Sequence, residues 1–120
     1  MVLKQTAYRG TRRIFEVYIT DSQGNAQDPD SCRVTFQEKG AYSYDSPRGP
    51  FQCNKTGDTG YWGYTWAIPE SITLGDWLAK FEWFINGAPA GDGELHFILK
   101  DLIRPYINKP YLPANSEVIG

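Results

Sequence analysis

Tyr61-Trp62-Gly63-Tyr64-Thr65-Trp66-Ala67-Ile68-Pro69 decides the fold class. Trp62, Tyr64, Trp66 and Ile68 alternate strictly with Gly63, Thr65 and Ala67. That period of two is what a pleated strand imposes on its side chains. Pro69 has no N–H to give to a ladder and ends the strand. The opposite face offers only Tyr61, Gly63, Thr65 and Ala67, so the large rings are expected to fill a core. A flat sugar-stacking platform, as in a carbohydrate-binding module, is the competing reading of the same three rings.

The same period recurs on either side. Within Thr11 to Asp21, Phe15, Val17 and Ile19 alternate with Glu16, Tyr18 and Thr20. Asp21-Ser22-Gln23-Gly24-Asn25 is turn chemistry, because Gly and Asn accept positive φ cheaply. Asp28-Pro29-Asp30 blocks a helix and leads into Cys32 to Gln37, with Cys32, Val34 and Phe36 on one face. Downstream, Trp77, Ala79, Phe81, Trp83 and Ile85 share a face, with Lys80 and Glu82 opposite. A helix over Ile72 to Phe84 fits these aromatics less well than a strand does. Asn86 to Gly93 reads as a loop. The last strand is Glu94 to Lys100, with Leu95, Phe97 and Leu99 inward. Glu38 to Gly60 is irregular: Tyr42-Ser43-Tyr44 and Phe51-Gln52-Cys53 are candidate short strands separated by Ser46-Pro47-Arg48-Gly49-Pro50, and Gly57-Asp58-Thr59-Gly60 is a turn. Six or seven short strands broken by Gly and Pro predict an all-β, antiparallel sandwich over residues 1–101.

Residues 102–120 are of another kind. Pro105, Pro110 and Pro113 exclude both helix and central strand. Yet Leu102, Ile103, Tyr106, Ile107, Tyr111, Leu112, Val118 and Ile119 make the segment too apolar for a free tail. It is predicted to be an extended arm with a reach of roughly 60 Å. Such an arm can wrap its own domain or lie across a neighbour; the neighbouring subunit is the favoured contact, through Ile103, Tyr106, Ile107, Tyr111 and Leu112.

Composition narrows the function. The 120 residues carry a net charge of −2, the wrong sign for meeting phosphates, so no nucleic-acid partner is expected. Lys4, Arg9, Arg12 and Arg13 cluster near the start and read as a solvated strand edge that resists aggregation. No apolar run approaches the ~20 residues that span a bilayer, and Met1 to Gly10 has no apolar h-region, so neither a membrane partner nor a signal peptide is expected. Four Trp, eight Tyr and six Phe exceed what one small core needs, so some rings should lie at contact surfaces. Cys32 and Cys53 read as reduced thiols that behave as small buried hydrophobes; paired, they would close a loop of about 20 residues. The sequon Asn54-Lys55-Thr56 carries no meaning outside a secretory pathway.

Catalytic chemistry finds no constellation. His96 is the only histidine, and neither a triad nor a multi-histidine metal site can be built around it. Asp21, Asp28 and Asp30 lack the spacing of an EF-hand loop and read as turn formers. No pair among the acids stands out as a glycosidase dyad. No Gly-rich phosphate loop precedes a helix. The expectation is a protein that is not an enzyme, with no cofactor, no metal and no catalytic residue.

Several runs taken together resemble a known family. They are Tyr8-Arg9-Gly10-Thr11, Phe15-Glu16-Val17-Tyr18-Ile19-Thr20-Asp21, Gly24, Asp28-Pro29-Asp30 and Val34-Thr35-Phe36. They continue with Thr59-Gly60 leading into the Tyr61–Pro69 run, Gly75-Asp76-Trp77 and Leu95-His96-Phe97-Ile98-Leu99. Over roughly residues 8–100 this order resembles the immunoglobulin-like domains of tailed-bacteriophage virion proteins. The resemblance implies an immunoglobulin-like β-sandwich and a structural role in the neck (head–tail connector), tail, baseplate or capsid decoration. It implies assembly with other virion proteins as a homo-oligomer, after synthesis in the host cytoplasm. It brings no catalytic residue. The apolar C-terminal arm departs from a plain module of this kind. The alternative function is a carbohydrate- or receptor-binding module on a phage or cell surface.

Overall fold

The structure, a computed structural model, describes residues 5–40 and 44–102. Eight strands run in order: β1 (Gln5–Tyr8), β2 (Arg12–Tyr18), β3 (Ser31–Glu38), β4 (Arg48–Gln52), β5 (Asn54–Lys55), β6 (Tyr61–Ala67), β7 (Gly75–Ile85) and β8 (Ala88–Lys100). No helix occurs among the described residues. A five-stranded sheet ordered β1-β8-β7-β3-β4 faces a three-stranded sheet ordered β2-β6-β5. The fold is therefore an all-β sandwich, as the alternating runs predict.

The inward faces follow from the alternation. Phe15 of β2 and Trp66 of β6 come from the small sheet; Phe36 of β3, Trp77 of β7 and Phe97 of β8 come from the large one, and all five are buried. Phe36 stacks on Trp66 with ring centroids 4.0 Å apart and planes 7° apart. Phe15 meets Phe36 edge-on at 5.0 Å and tilts over Phe97 at 4.9 Å. Aromatic pairs at these separations add about 0.5–1.5 kcal/mol each to the area they bury. The indole N–H of Trp77 donates to the Thr73 carbonyl at 2.9 Å, so its burial leaves no donor unpaired. Ile19 closes one end of the core and Ile68 and Ile72 the other.

Three segments differ from the sequence reading. Asn86 to Gly93 is not a loop: β7 and β8 are joined by the two residues Asn86 and Gly87, with φ of 54° and 77°. Two positive φ values make the primed turn whose twist suits a hairpin. The glycines beyond it belong to the strand because β7 covers them. A Cβ on Gly91 would lie 2.6 Å from Trp83 Nε1, and one on Gly93 would lie 3.7 Å from Trp83 Cη2, so the Trp83 indole lies across both.

β4 includes Arg48-Gly49-Pro50, which reads in sequence as a spacer. It is an edge strand beside an irregularity in β3 between Val34 and Phe36, the setting in which a sheet tolerates proline. Tyr44 lies in a bend rather than a strand, and Tyr42 and Ser43 lie outside the described residues. Finally, β1 pairs with β8 in parallel, Ala7 opposite Leu99, while every other described ladder is antiparallel.

Candidate interaction surface

The predicted contact residues Ile103, Tyr106, Ile107, Tyr111 and Leu112 lie outside the described residues. The residues that immediately precede them in the chain are described. The Arg9 guanidinium grips the Asp101 carboxylate through Nε and Nη2, the second contact at 2.8 Å. Arg9 Nη1 also donates to the Ile72 carbonyl at 3.3 Å, and the Arg9 backbone N–H donates to the Lys100 carbonyl at 3.1 Å. A bidentate Arg–carboxylate pair fixes orientation as well as distance. Arg9, Gly10, Glu70, Asp101 and Leu102 line a shallow hollow of about 160 Å³ beside it. Leu102, the last described residue, is 44% exposed.

Two members of the basic cluster, Arg9 and Arg13, are thus put to structural use, and Lys4 lies outside the described residues. Arg9 holds Asp101, and Arg13 donates to the Thr6 carbonyl and the Gln5 side chain, tying β2 to β1 across the edges of the two sheets. The solvated-edge reading of these arginines is coarser than what they do.

A second feature lies on the outer face of the small sheet. Ile14, Tyr18 and Tyr61 point outward and are 48%, 50% and 43% exposed. Pairing sets Ile14 opposite Thr65, Glu16 opposite Gly63 and Tyr18 opposite Tyr61. The two tyrosine rings lie 4.7 Å apart with planes inclined by 36°. The corner beneath them is rigid for reasons that can be named. Gly60, at φ 95°, gives up its Cβ so that the Tyr18 ring can lie over it; a Cβ there would sit 3.0 Å from Tyr18 Cε1 and 2.8 Å from the Ile19 carbonyl. The Ile19 N–H donates to the Gly60 carbonyl at 2.7 Å.

Asp28 completes this corner. Its carboxylate accepts the Gly60 backbone N–H at 2.8 Å, the Trp62 indole N–H at 3.0 Å and the Lys55 ammonium at 2.7 Å. The Gly60 N–H, Lys55 and the Trp62 indole together lower its pKa to about 2. Asp21 accepts the N–H groups of Gln23 and Asn25, which hold its carboxyl below the usual range, and Asp30 accepts the N–H of Asn86. Only Asp21 caps its own turn, as the sequence suggested; Asp28 and Asp30 accept N–H groups of distant turns, at Gly60 and Asn86. Among the described residues no three His, Cys, Asp or Glu side chains converge as metal ligands would. His96 lies beside Lys39, with Nδ1 3.1 Å from the ammonium, and 3.6 Å from Glu94.

The three rings weighed as a sugar platform face inward. Trp66 is buried in the core; Trp62 and Tyr64 are half-buried against it, Tyr64 stacking on Phe51 at 4.7 Å. Among the described residues, the exposed aromatics are tyrosines instead: Tyr8, Tyr18, Tyr44 and Tyr61. The sequence places Tyr18 and Tyr61 each on an outward face; only the β2–β6 register brings them together. No helix among the described residues is long and apolar enough to cross a membrane. Comparison of the chain with protein-family models, with curated proteins and with solved structures finds no match.

Proposed function

We propose that the chain is a structural component of a tailed-bacteriophage virion, an immunoglobulin-like sandwich that assembles through its C-terminal arm with copies of itself and with other virion proteins. The observation that carries this reading is the fixed root of the arm. Arg9 binds Asp101 bidentately just after the last strand and before an apolar, proline-punctuated segment of the sequence. An arm held at its base spends less conformational freedom when it docks. A closed ring of copies would use heterologous contacts, in which the arm of one subunit meets a different surface of the next.

Strand order supports the immunoglobulin-like part of the proposal. A sheet containing β8-β7-β3-β4 faces one ordered β2-β6-β5. This corresponds to the G-F-C-C′ and B-E-D strands of a variable-type immunoglobulin sandwich. The phage assignment rests on the sequence resemblance, and the neck, tail, baseplate and capsid surface are the places it suggests. Synthesis in the host cytoplasm, without a catalytic step, a cofactor, nucleic acid or a membrane, belongs to the same proposal.

Replacing Tyr106 and Tyr111 together with Ala tests the arm. The double variant should keep the β-sheet circular dichroism of the parent and assemble more weakly. Assembly equal to that of the parent would sink the proposal.

One observation favours a second reading, a carbohydrate- or receptor-binding module: the paired, exposed rings of Tyr18 and Tyr61 over the rigid Gly60 corner. Glycan binding lost in a Tyr18→Ala, Tyr61→Ala variant that stays folded would establish it.

A further inference from the structure

We propose that Cys32 and Cys53 form a modification site, a thiol pair that closes into a cross-strand disulfide when the chain meets a small-molecule disulfide oxidant. The β3–β4 register sets Val34 opposite Phe51 and Arg33 opposite Gln52, so Cys32 and Cys53 are the next opposed pair. The Cys53 N–H donates to the Cys32 carbonyl at 2.8 Å. Directly opposed antiparallel residues bonded in this way have Cα atoms about 5.5 Å apart. A disulfide spans about 4.4 to 6.8 Å between Cα atoms, so the backbone is already in place.

The side chains agree with the backbone. Cys32 shares its inward face with Val34 and Phe36, and both cysteines are unpaired thiols, 0% and 1% exposed. The neighbouring Cys32 side chain and burial together push the Cys53 thiol up, while the Cys53 side chain draws the Cys32 thiol down. In the closed fold burial keeps both sulfurs out of reach of an oxidant. Access comes through β4, an edge strand bonded only to β3. Such strands open locally at less cost than central ones.

The chemistry balances with oxidised glutathione as the oxidant. On opening, the Cys53 thiol loses its proton to water, and the thiolate attacks one glutathione sulfur. The glutathione disulfide breaks, one glutathione thiolate leaves, and a mixed disulfide remains on Cys53. The Cys32 thiolate then attacks the Cys53 sulfur and expels the second glutathione. Two protein thiols give up two electrons and two protons, and one oxidised glutathione becomes two reduced ones. The pair is a property of the chain alone, whatever the chain assembles with. A chain made in a reducing compartment would carry it open and close it after release into an oxidising one.

The test is to equilibrate the full chain with excess oxidised glutathione and record its intact mass, non-reducing peptide map and Tm. The expected result is a loss of about 2 Da, a peptide joining Cys32 to Cys53, and a Tm raised by about 10 °C, all reversed by dithiothreitol. Two free thiols at equilibrium, a stable glutathione adduct, or a disulfide between chains would each overturn it. Cys32→Ala under the same treatment should show no rise in Tm, and an equal rise there would also overturn it.

Discussion

The Asp101 carboxylate sits in the fork of the Arg9 guanidinium, joining residues 92 positions apart at the end of the last strand of the sandwich. The pair is partly exposed, with side chains 30% and 57% accessible. An ion pair in that setting contributes about 1 kcal/mol or less to folding. Its larger effect is on direction, because it fixes where Leu102 points.

Arg9→Ala is therefore predicted to separate the two roles. The Tm should fall by no more than a few degrees, consistent with the small folding contribution. Sedimentation velocity should show the assembled species shifted towards the single chain. A large loss of Tm with assembly intact would make the pair a folding contact and not an arm clamp.

Phe36 and Trp66 carry the sandwich, since their stacked rings join the two sheets at the centre of the core. Trp66→Ala removes the stack and its contacts with Phe15, Trp77 and Phe97. The expected cost is about 3–5 kcal/mol, read from the urea midpoint. A cost below about 1 kcal/mol would mean that the core closes without this ring.

Asp28 predicts a pH dependence of defined sign. Its folded pKa of about 2 lies below the ordinary 3.8, so between these values the unfolded chain binds the proton more readily. The stabilisation is complete above the ordinary value and is lost as pH falls through about 2. The Trp62 indole N–H resonance should move with an apparent pKa near 2 as its acceptor is neutralised. In Asp28→Asn that movement should vanish. A titration near the ordinary value would show that the Gly60 corner does not hold the carboxylate.

How far the sequence could be read depended on where each element found its packing. β2, β3 and β6 bury alternate residues of their own, and Phe15, Phe36 and Trp66 announce them. The first half of β8 has almost nothing to bury: Ala88, Pro89 and Ala90 are exposed, and Gly91 and Gly93 take their cover from Trp83 on the neighbouring strand. A run whose packing is supplied by its partner looks like a loop when read alone. Asn86-Gly87 turns the chain in two residues, and the glycines and proline that follow it extend the appearance of a loop into the strand. β1 was missed because its four residues gain their place from a parallel pairing with the far end of the chain.

The surface divides in the same way. Tyr18 and Tyr61 could each be assigned an outward face from period two, yet they are 43 positions apart and meet only through the register of β2 with β6. The role of Arg9 was equally hidden, because local sequence shows a basic cluster and not the acid at position 101. Asp28 and Asp30 bind N–H groups of distant turns, at Gly60 and Asn86, and only Asp21, which accepts the N–H groups of its own turn, was legible as a turn former. The reach of Asp28 to Trp62 and Lys55 was not.

The most direct measurement of the assembly claim is the solution mass by light scattering of the full chain and of a chain ending at Leu102. Circular dichroism should show the same β-sheet spectrum for both. The full chain is predicted to form an oligomer of defined mass, and the shortened chain is predicted to have the mass of a single copy. A full chain that remains a single copy, or an oligomer that survives removal of residues 103–120, would contradict assembly through the arm.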